Sequence, residues 1–180
     1  MENGEGLSIT SQEAPTRVVE AGEKRQYYLF REKDPDYPLE LIITEVPPGH
    51  TQPFHAHETI DEITVVLHGE VVGITKDTKD SPQQEHPIQA LSLYDPKVHD
   101  FHRITAAKDG TVLLVLEDRN TGEIFGGELP YDEGFNAGKA FHTVENRTDQ
   151  WIIMATVKKT TPETFAKNPK IFQEDKINLE

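Results

Sequence analysis

Residues 49–69 read GHTQPFHAHETIDEITVVLHG: two histidines two apart, a carboxylate five residues after the second, and a glycine at each end. On an extended strand, residues two apart project from one face and the residue between them from the other. His55 and His57 therefore share a face, while Phe54 and Ala56 turn away to pack. Glu62 opens the strong strand EITVVLHG, and a turn through ETID lets it fold back over the two imidazoles. Two imidazoles and a carboxylate on neighbouring strands make a small donor set for one divalent ion per chain, with Fe, Ni, Mn, Co and Zn all compatible.

Composition narrows what such a site can serve. The chain has 180 residues, enough for one domain with a proper core. Its 32 acidic and 18 basic side chains leave a formal charge of -14, which repels phosphate backbones and anionic lipid heads. No nucleic-acid or membrane partner is expected. With zero cysteines there is no disulfide, thiolate ligand or cysteine nucleophile, so any chemistry falls to oxygen and imidazole. No segment resembles a signal peptide or a membrane span, and a cytoplasmic location is expected.

Outward from the histidines, the chain is a succession of short β-branched and aliphatic runs, among them RQYYLF, LELIITEV, TVLLVLED and WIIMATVKK. Turn clusters such as KDPDYP, PPGH, KDTKDSP and AKDG separate them. This pattern predicts an all-β antiparallel barrel or sandwich. Residues 1–16 are small, polar and acidic and read as a flexible tail outside the core. Residues 17–160 form the barrel, and 161–180 a C-terminal extension with one short helix in TPETFAKNP, capped by Thr161, begun by Pro162 and stopped by Pro169. The segments 101–119 and 141–159 align without a gap, each beginning Phe-His and each a candidate hairpin. His50, His68 and His86 read as surface residues, and Trp151 as core or subunit interface.

The spacing Gly49, His55, His57, Glu62, Gly69 resembles the first signature motif of the cupin superfamily, with Pro47, Pro48 and Gly49 fitting the turn before it. The resemblance implies a jelly-roll β-barrel of the cupin type holding a divalent metal on His55, His57, Glu62 and a further histidine from a second motif. That motif is degenerate here. His102, in YDPKVHDFHRITA, lies at a conventional distance and is the preferred fourth ligand. His142, in YDEGFNAGKAFHTVEN, is the alternative; it has Asn146 in register but requires a long connection with an extra hairpin. His99 is a weaker third candidate.

The resemblance points to a mononuclear metal enzyme, foremost a dioxygenase-type oxidoreductase acting on a small enolic or aromatic compound in the barrel, with Glu62 as catalytic base. A non-oxidative metal-dependent isomerase, cyclase or lyase is the first alternative, and a non-catalytic small-molecule or metal-binding cupin the second. Apolar positions along EITVVL and TVLLVL predict an uncharged or aromatic ligand. Chain ends beyond the core could pair two barrels, so a homodimer is expected.

Overall fold

The fold is described for residues 6–179 of a computed structural model. Among these residues fourteen strands form three sheets, and their ladders are antiparallel. The central sheet has the order β2 (Thr16–Val18), β3 (Lys24–Tyr28), β4 (Leu39–Val46), β13 (Ile152–Lys159), β6 (Asp61–His68). Facing it is a sheet of order β14 (Ile177–Asn178), β5 (His55–Ala56), β12 (Phe141–Glu145), β7 (Glu70–Lys76), β8 (Gln84–Gln89). A third sheet, β1 (Leu7–Thr10), β9 (His99–Ala106), β10 (Val112–Asp118), β11 (Ile124–Glu128), covers the other side of the central one. The first two sheets make the expected cupin-type jelly-roll barrel; the third is an added layer.

Alternation along the central strands assigns each face. In β4, Leu39, Leu41 and Ile43 enter the larger core, where they meet Ile104, Leu114 and Leu116 of the third sheet. Glu40, Ile42 and Thr44 point the other way and line a cavity inside the barrel. In β13, Ile153, Ala155 and Val157 face the larger core, whereas Thr156 and Lys158 face the cavity. A strand covered on both faces reads as a continuous run, which is why LELIITEV shows no clean alternation. Val46, Val66, Val71, Val144, Ile152 and Met154 close the barrel below the cavity as a second, smaller core.

Two glycines of the motif are required by backbone geometry. Gly49 has φ +71°, closing the turn in which His50 N–H donates to Pro47 O at 3.2 Å. Gly69 has φ +84° between β6 and β7, and a Cβ there would lie 2.2 Å from Ile152 Cδ1.

Several expectations need correction. Residues 7–10 are not a loose tail: β1 pairs with β9, and Ile9 and Ala14 are buried. A tetrapeptide in a polar stretch gains strand structure from a partner edge, which local composition does not reveal. Residues 1–5 of the expected tail lie outside the described residues. The two Phe-His segments also differ. β9 and β10 pair as a hairpin, but β12 and β13 separate into different sheets, since β12 pairs with β5 and β7 while β13 pairs with β4 and β6.

The predicted helix forms as α2 (Pro162–Lys167), where Thr161 Oγ1 accepts from Thr164 N–H at 3.1 Å and Pro162 occupies the first turn. A second short helix, α3 (Ile171–Glu174), follows, and Phe165, Ile171 and Phe172 pack on Ile60. Strand β14 then pairs with β5, bringing the chain end against the strand that carries His55. Among the described residues, no helix is long and apolar enough to cross a membrane.

Candidate metal centre

Three strands and one loop converge on a His/His/Glu/His cluster. His55 lies in β5, His57 one residue beyond it, Glu62 in β6 and His142 in β12, directly paired with His55. One donor atom from each of the four lies within 4.8 Å of the others. Glu62 is the hub: Oε2 is 3.0 Å from His57 Nε2, and Oε1 is 3.1 Å from His142 Nε2 and 3.8 Å from His55 Nε2. The cluster is sheltered, with His57 2% and His142 6% exposed.

Each imidazole is held from behind by a backbone carbonyl. Nδ1 of His55 donates to Pro53 O at 3.0 Å, Nδ1 of His142 to Ala140 O at 3.1 Å, and Nδ1 of His57 to Asp175 O. A carbonyl can only accept, so the proton of each neutral ring resides on Nδ1 and the Nε2 lone pair points inward. Three inward lone pairs around an ionised carboxylate repel one another unless a cation stands among them. Outer carbonyls that fix tautomer and ring orientation are the support that metal-binding histidines use. The donor set of three imidazole nitrogens and one carboxylate therefore fits a divalent metal.

Burial alone would raise the Glu62 carboxyl, but contacts with His142, His55 and His57 and the nearby Lys158 ammonium hold it well below the usual carboxylate range. Burial lowers His55, with Glu62 partly opposing the shift. The first effect favours the charged carboxylate of Glu62 and the second the neutral imidazole of His55, the ligating form of each.

The fourth residue differs from the preferred expectation. His102 lies on β9 in the outer sheet, where a β-bulge interrupts the register between Arg103 paired with Val115 and Phe101 paired with Leu116. Its Nδ1 is 3.5 Å from Glu117 Oε2, and its side chain is 36% exposed. His99 Nδ1 accepts from Asp95 N–H at 3.0 Å in that same layer. Residues 99–128 are the extra layer that makes the connection to His142 long. Asn146, four residues after His142, is fully buried and ties three segments together: Nδ2 donates to Val46 O, Pro47 O and Gln150 O at 2.8–3.2 Å, while Oδ1 accepts from Thr148. The in-register asparagine was the sequence signal for His142.

Other residues near the site were not anticipated. The Asp175 carboxylate accepts backbone N–H groups of Glu58, Thr59 and Ile60 at 2.9–3.1 Å, clasping the loop between His57 and Glu62. These bonds hold its carboxyl below its ordinary value against some burial. His50 is not a free surface residue: Nε2 lies 3.0 Å from Glu23 Oε2, and Glu23, 1% exposed, also binds Arg25 and Gln52. Trp151 is neither core nor buried; it is 44% exposed, with Lys24 Nζ 5.9 Å from its ring centroid.

His55, Glu62 and His142 open onto a cavity of about 530 Å³. Its wall is polar, contrary to the apolar lining expected from EITVVL and TVLLVL. Val65, Leu67, Leu114 and Leu116 face the larger core instead, on the opposite side of the central sheet. The cavity carries Arg17, Arg25, Arg31, Lys158 and Lys176 together with Glu32, Glu40 and Glu62.

No protein-family model and no curated protein matches the sequence. Solved structures match by shape. The capsular polysaccharide assembling protein CapF from Staphylococcus aureus superposes with a TM-score of 0.51 at 16% identity, over 93% of this chain and 32% of its own. Oxalate decarboxylase from Bacillus subtilis gives 0.53 at 12% identity, over 96% of this chain and 32% of its own. The formate complex of Lactobacillus farciminis oxalate decarboxylase gives 0.51 at 16% identity, over 86% and 32%. The chain spans about a third of the length of these proteins. At such identities the likeness speaks to fold alone, a β-barrel of the cupin type, and the His/His/Glu/His cluster inside it has the composition of a divalent-metal site.

Proposed function

We propose that the protein is a mononuclear metal-dependent cupin enzyme, a dioxygenase-type oxidoreductase acting on a small enolic compound, with His55, His57, Glu62 and His142 as ligands. The observation that carries this reading is the convergence of three Nε2 atoms, each fixed by a carbonyl on Nδ1, on one carboxylate beside a cavity. A divalent ion bound there would supply Lewis acidity and, if redox-active, a route for electrons from substrate to O2. In a dioxygenase reaction both oxygen atoms enter the oxidised substrate, which itself supplies the electrons, so no external reductant is needed. Glu62, ionised and facing the cavity, takes the enol proton. Phe135, whose ring centroid lies 6.4 Å from that of His142, gives the reacting end an apolar neighbour. The aromatic-substrate form of the expectation gains no support from the polar wall.

A second reading, a non-oxidative isomerase, cyclase or lyase, is favoured by Lys158, whose Nζ lies 3.6 Å from Glu62 Oε2 and could return a proton to carbon. The structural likeness to oxalate decarboxylases lends support to this reading. A cytoplasmic homodimer completes the proposal; exposed Val18 on edge strand β2 and exposed Trp151 offer apolar contacts, and analytical ultracentrifugation measures the mass.

The deciding experiment is the metal content of untagged protein purified without added metal, followed by O2 uptake with enolic substrates. Close to one equivalent of Fe, Ni, Mn or Co with substrate-dependent O2 consumption is the expected result. Turnover without O2 uptake selects the second reading. Failure to bind any of these ions, or Zn, after reconstitution overturns both.

A further inference from the structure

The chain carries a formal charge of -14, yet three of its six arginines and two lysines line this one cavity. Chance placement on an acidic protein does not collect five cations around one concavity, and their own counter-charges do not use them up. Arg25 is paired with Glu23, and Arg31 with Glu40. Among the described residues, Arg17 lies over the face of Tyr27, 5.1 Å away, with no carboxylate within ion-pair distance, and Lys176 likewise has none. Lys158 leans on Glu62, whose charge a bound metal would claim.

Arg31 gives an independent sign that something is missing. Its side chain is 3% exposed and lies 4.4 Å from the Phe172 ring centroid. Nη2 reaches Glu40 at 3.1 Å, but Nη1 is buried and has no acceptor. A buried guanidinium N–H without an acceptor is costly, and a planar carboxylate is its best complement. Arg31 belongs to the cavity wall, so a ligand carboxylate that displaces the groups covering Nη1 would supply the acceptor.

Resting on the metal-centre reading, we propose that the cavity binds a small dianionic acid of the dicarboxylate or oxo-acid class. One acidic end meets the histidine cluster with Lys158 beside it, and the other meets the cations of Arg17, Arg31 and Lys176. Two separated positive centres favour two separated negative groups over one compact dianion such as phosphate. A cavity of about 530 Å³ holds such a molecule with room for water.

The test is calorimetric titration of the full chain with malonate, its neutral analogue malonamide and inorganic phosphate, each against metal-loaded and chelator-treated protein. Malonate should bind both forms, tighter to the loaded one, with affinity falling as salt rises. Lys176→Gln and Arg17→Gln, whose cations have no ion pair to break among the described residues, should each weaken malonate about two- to fivefold. Arg31→Met/Glu40→Gln, which removes the buried pair without stranding a charge, should weaken it at least about tenfold while keeping the wild-type far-UV spectrum. Malonamide binding as tightly as malonate, or no effect of any of the three variants on malonate, overturns the proposal. Phosphate binding more tightly than malonate overturns the two-ended assignment. If the protein holds no metal but malonate still binds in a Lys176- and Arg31-dependent way, the metal centre fails and the anion site stands.

Discussion

Asp175→Ala should damage the metal site although Asp175 contributes no ligand. Its carboxylate accepts three backbone N–H groups, from Glu58, Thr59 and Ile60, and its carbonyl holds His57 Nδ1. A hydrogen bond to a charged group contributes about 1.5–3 kcal/mol when well sheltered. This carboxylate is half-exposed and its three bonds share one anion, so the loss should total about 2–3 kcal/mol, comparable to losing a strong helix cap. For a chain of this size that lowers Tm by about 5–10 °C. Freed of the clasp, the loop between His57 and Glu62 and the chain end that orients the His57 ring both loosen. Loss of such outer support costs metal affinity about 10- to 100-fold. Thermal unfolding followed by circular dichroism gives the first quantity, and competition with a chelator of known affinity the second. Asp175→Asn, which keeps one acceptor oxygen, should fall between. A lowered Tm with full metal affinity would refute the link from Asp175 to His57, and an unchanged Tm would refute the clasp itself.

His142→Ala should abolish tight metal binding while His102→Ala leaves it within about twofold, because only His142 reaches Glu62; elemental analysis of the two variants decides. Asn146→Ala strands carbonyls of Val46, Pro47 and Gln150 in a buried place and should cost about 3–4 kcal/mol in urea unfolding; a loss under about 1 kcal/mol would contradict the network. At the other end of the chain, Thr10 and Lys33 hold the Glu13 carboxyl down to about 2. A carboxyl depressed on folding stabilises the folded state above its unfolded value, and that contribution fades as pH falls through the folded one. Amide exchange of Leu7–Thr10, corrected for intrinsic rates, should therefore accelerate relative to the barrel strands between about pH 4.5 and 2, and Glu13→Gln should remove that dependence.

The sequence disclosed the first half of the site because its geometry is local. His55, Ala56 and His57 obey strand alternation, and the return of Glu62 needs only one turn. His142 is a neighbour of His55 by topology alone, through strand pairing across the inserted layer of residues 99–128. With Phe-His at both 101–102 and 141–142, local pattern could not choose between them. The cationic wall was hidden more deeply, since its members come from β2, α1 (Phe30–Lys33), β13 and the chain end, four segments with no common motif.

A subtler signal was nonetheless present in the strands themselves. β4 reads Leu-Glu-Leu-Ile-Ile-Thr-Glu-Val and β13 Ile-Ile-Met-Ala-Thr-Val-Lys-Lys, and both are nearly apolar throughout, the mark of burial on two faces. Within such a strand, polar residues recurring two or four apart share one face, and where that face is turned inward they share a wetted interior. Glu40 with Thr44, Thr64 with Glu62, and Thr156 with Lys158 each do so, and all six line the cavity. Thr64 and Thr156 even meet across the sheet at 3.0 Å, fixing the neighbouring strands β6 and β13 at the depth where Glu62 and Lys158 stand. The position of the lumen thus follows from polar alternation inside apolar strands, whereas most of its positive charge, from Arg17, Arg25, Arg31 and Lys176, comes from segments outside them.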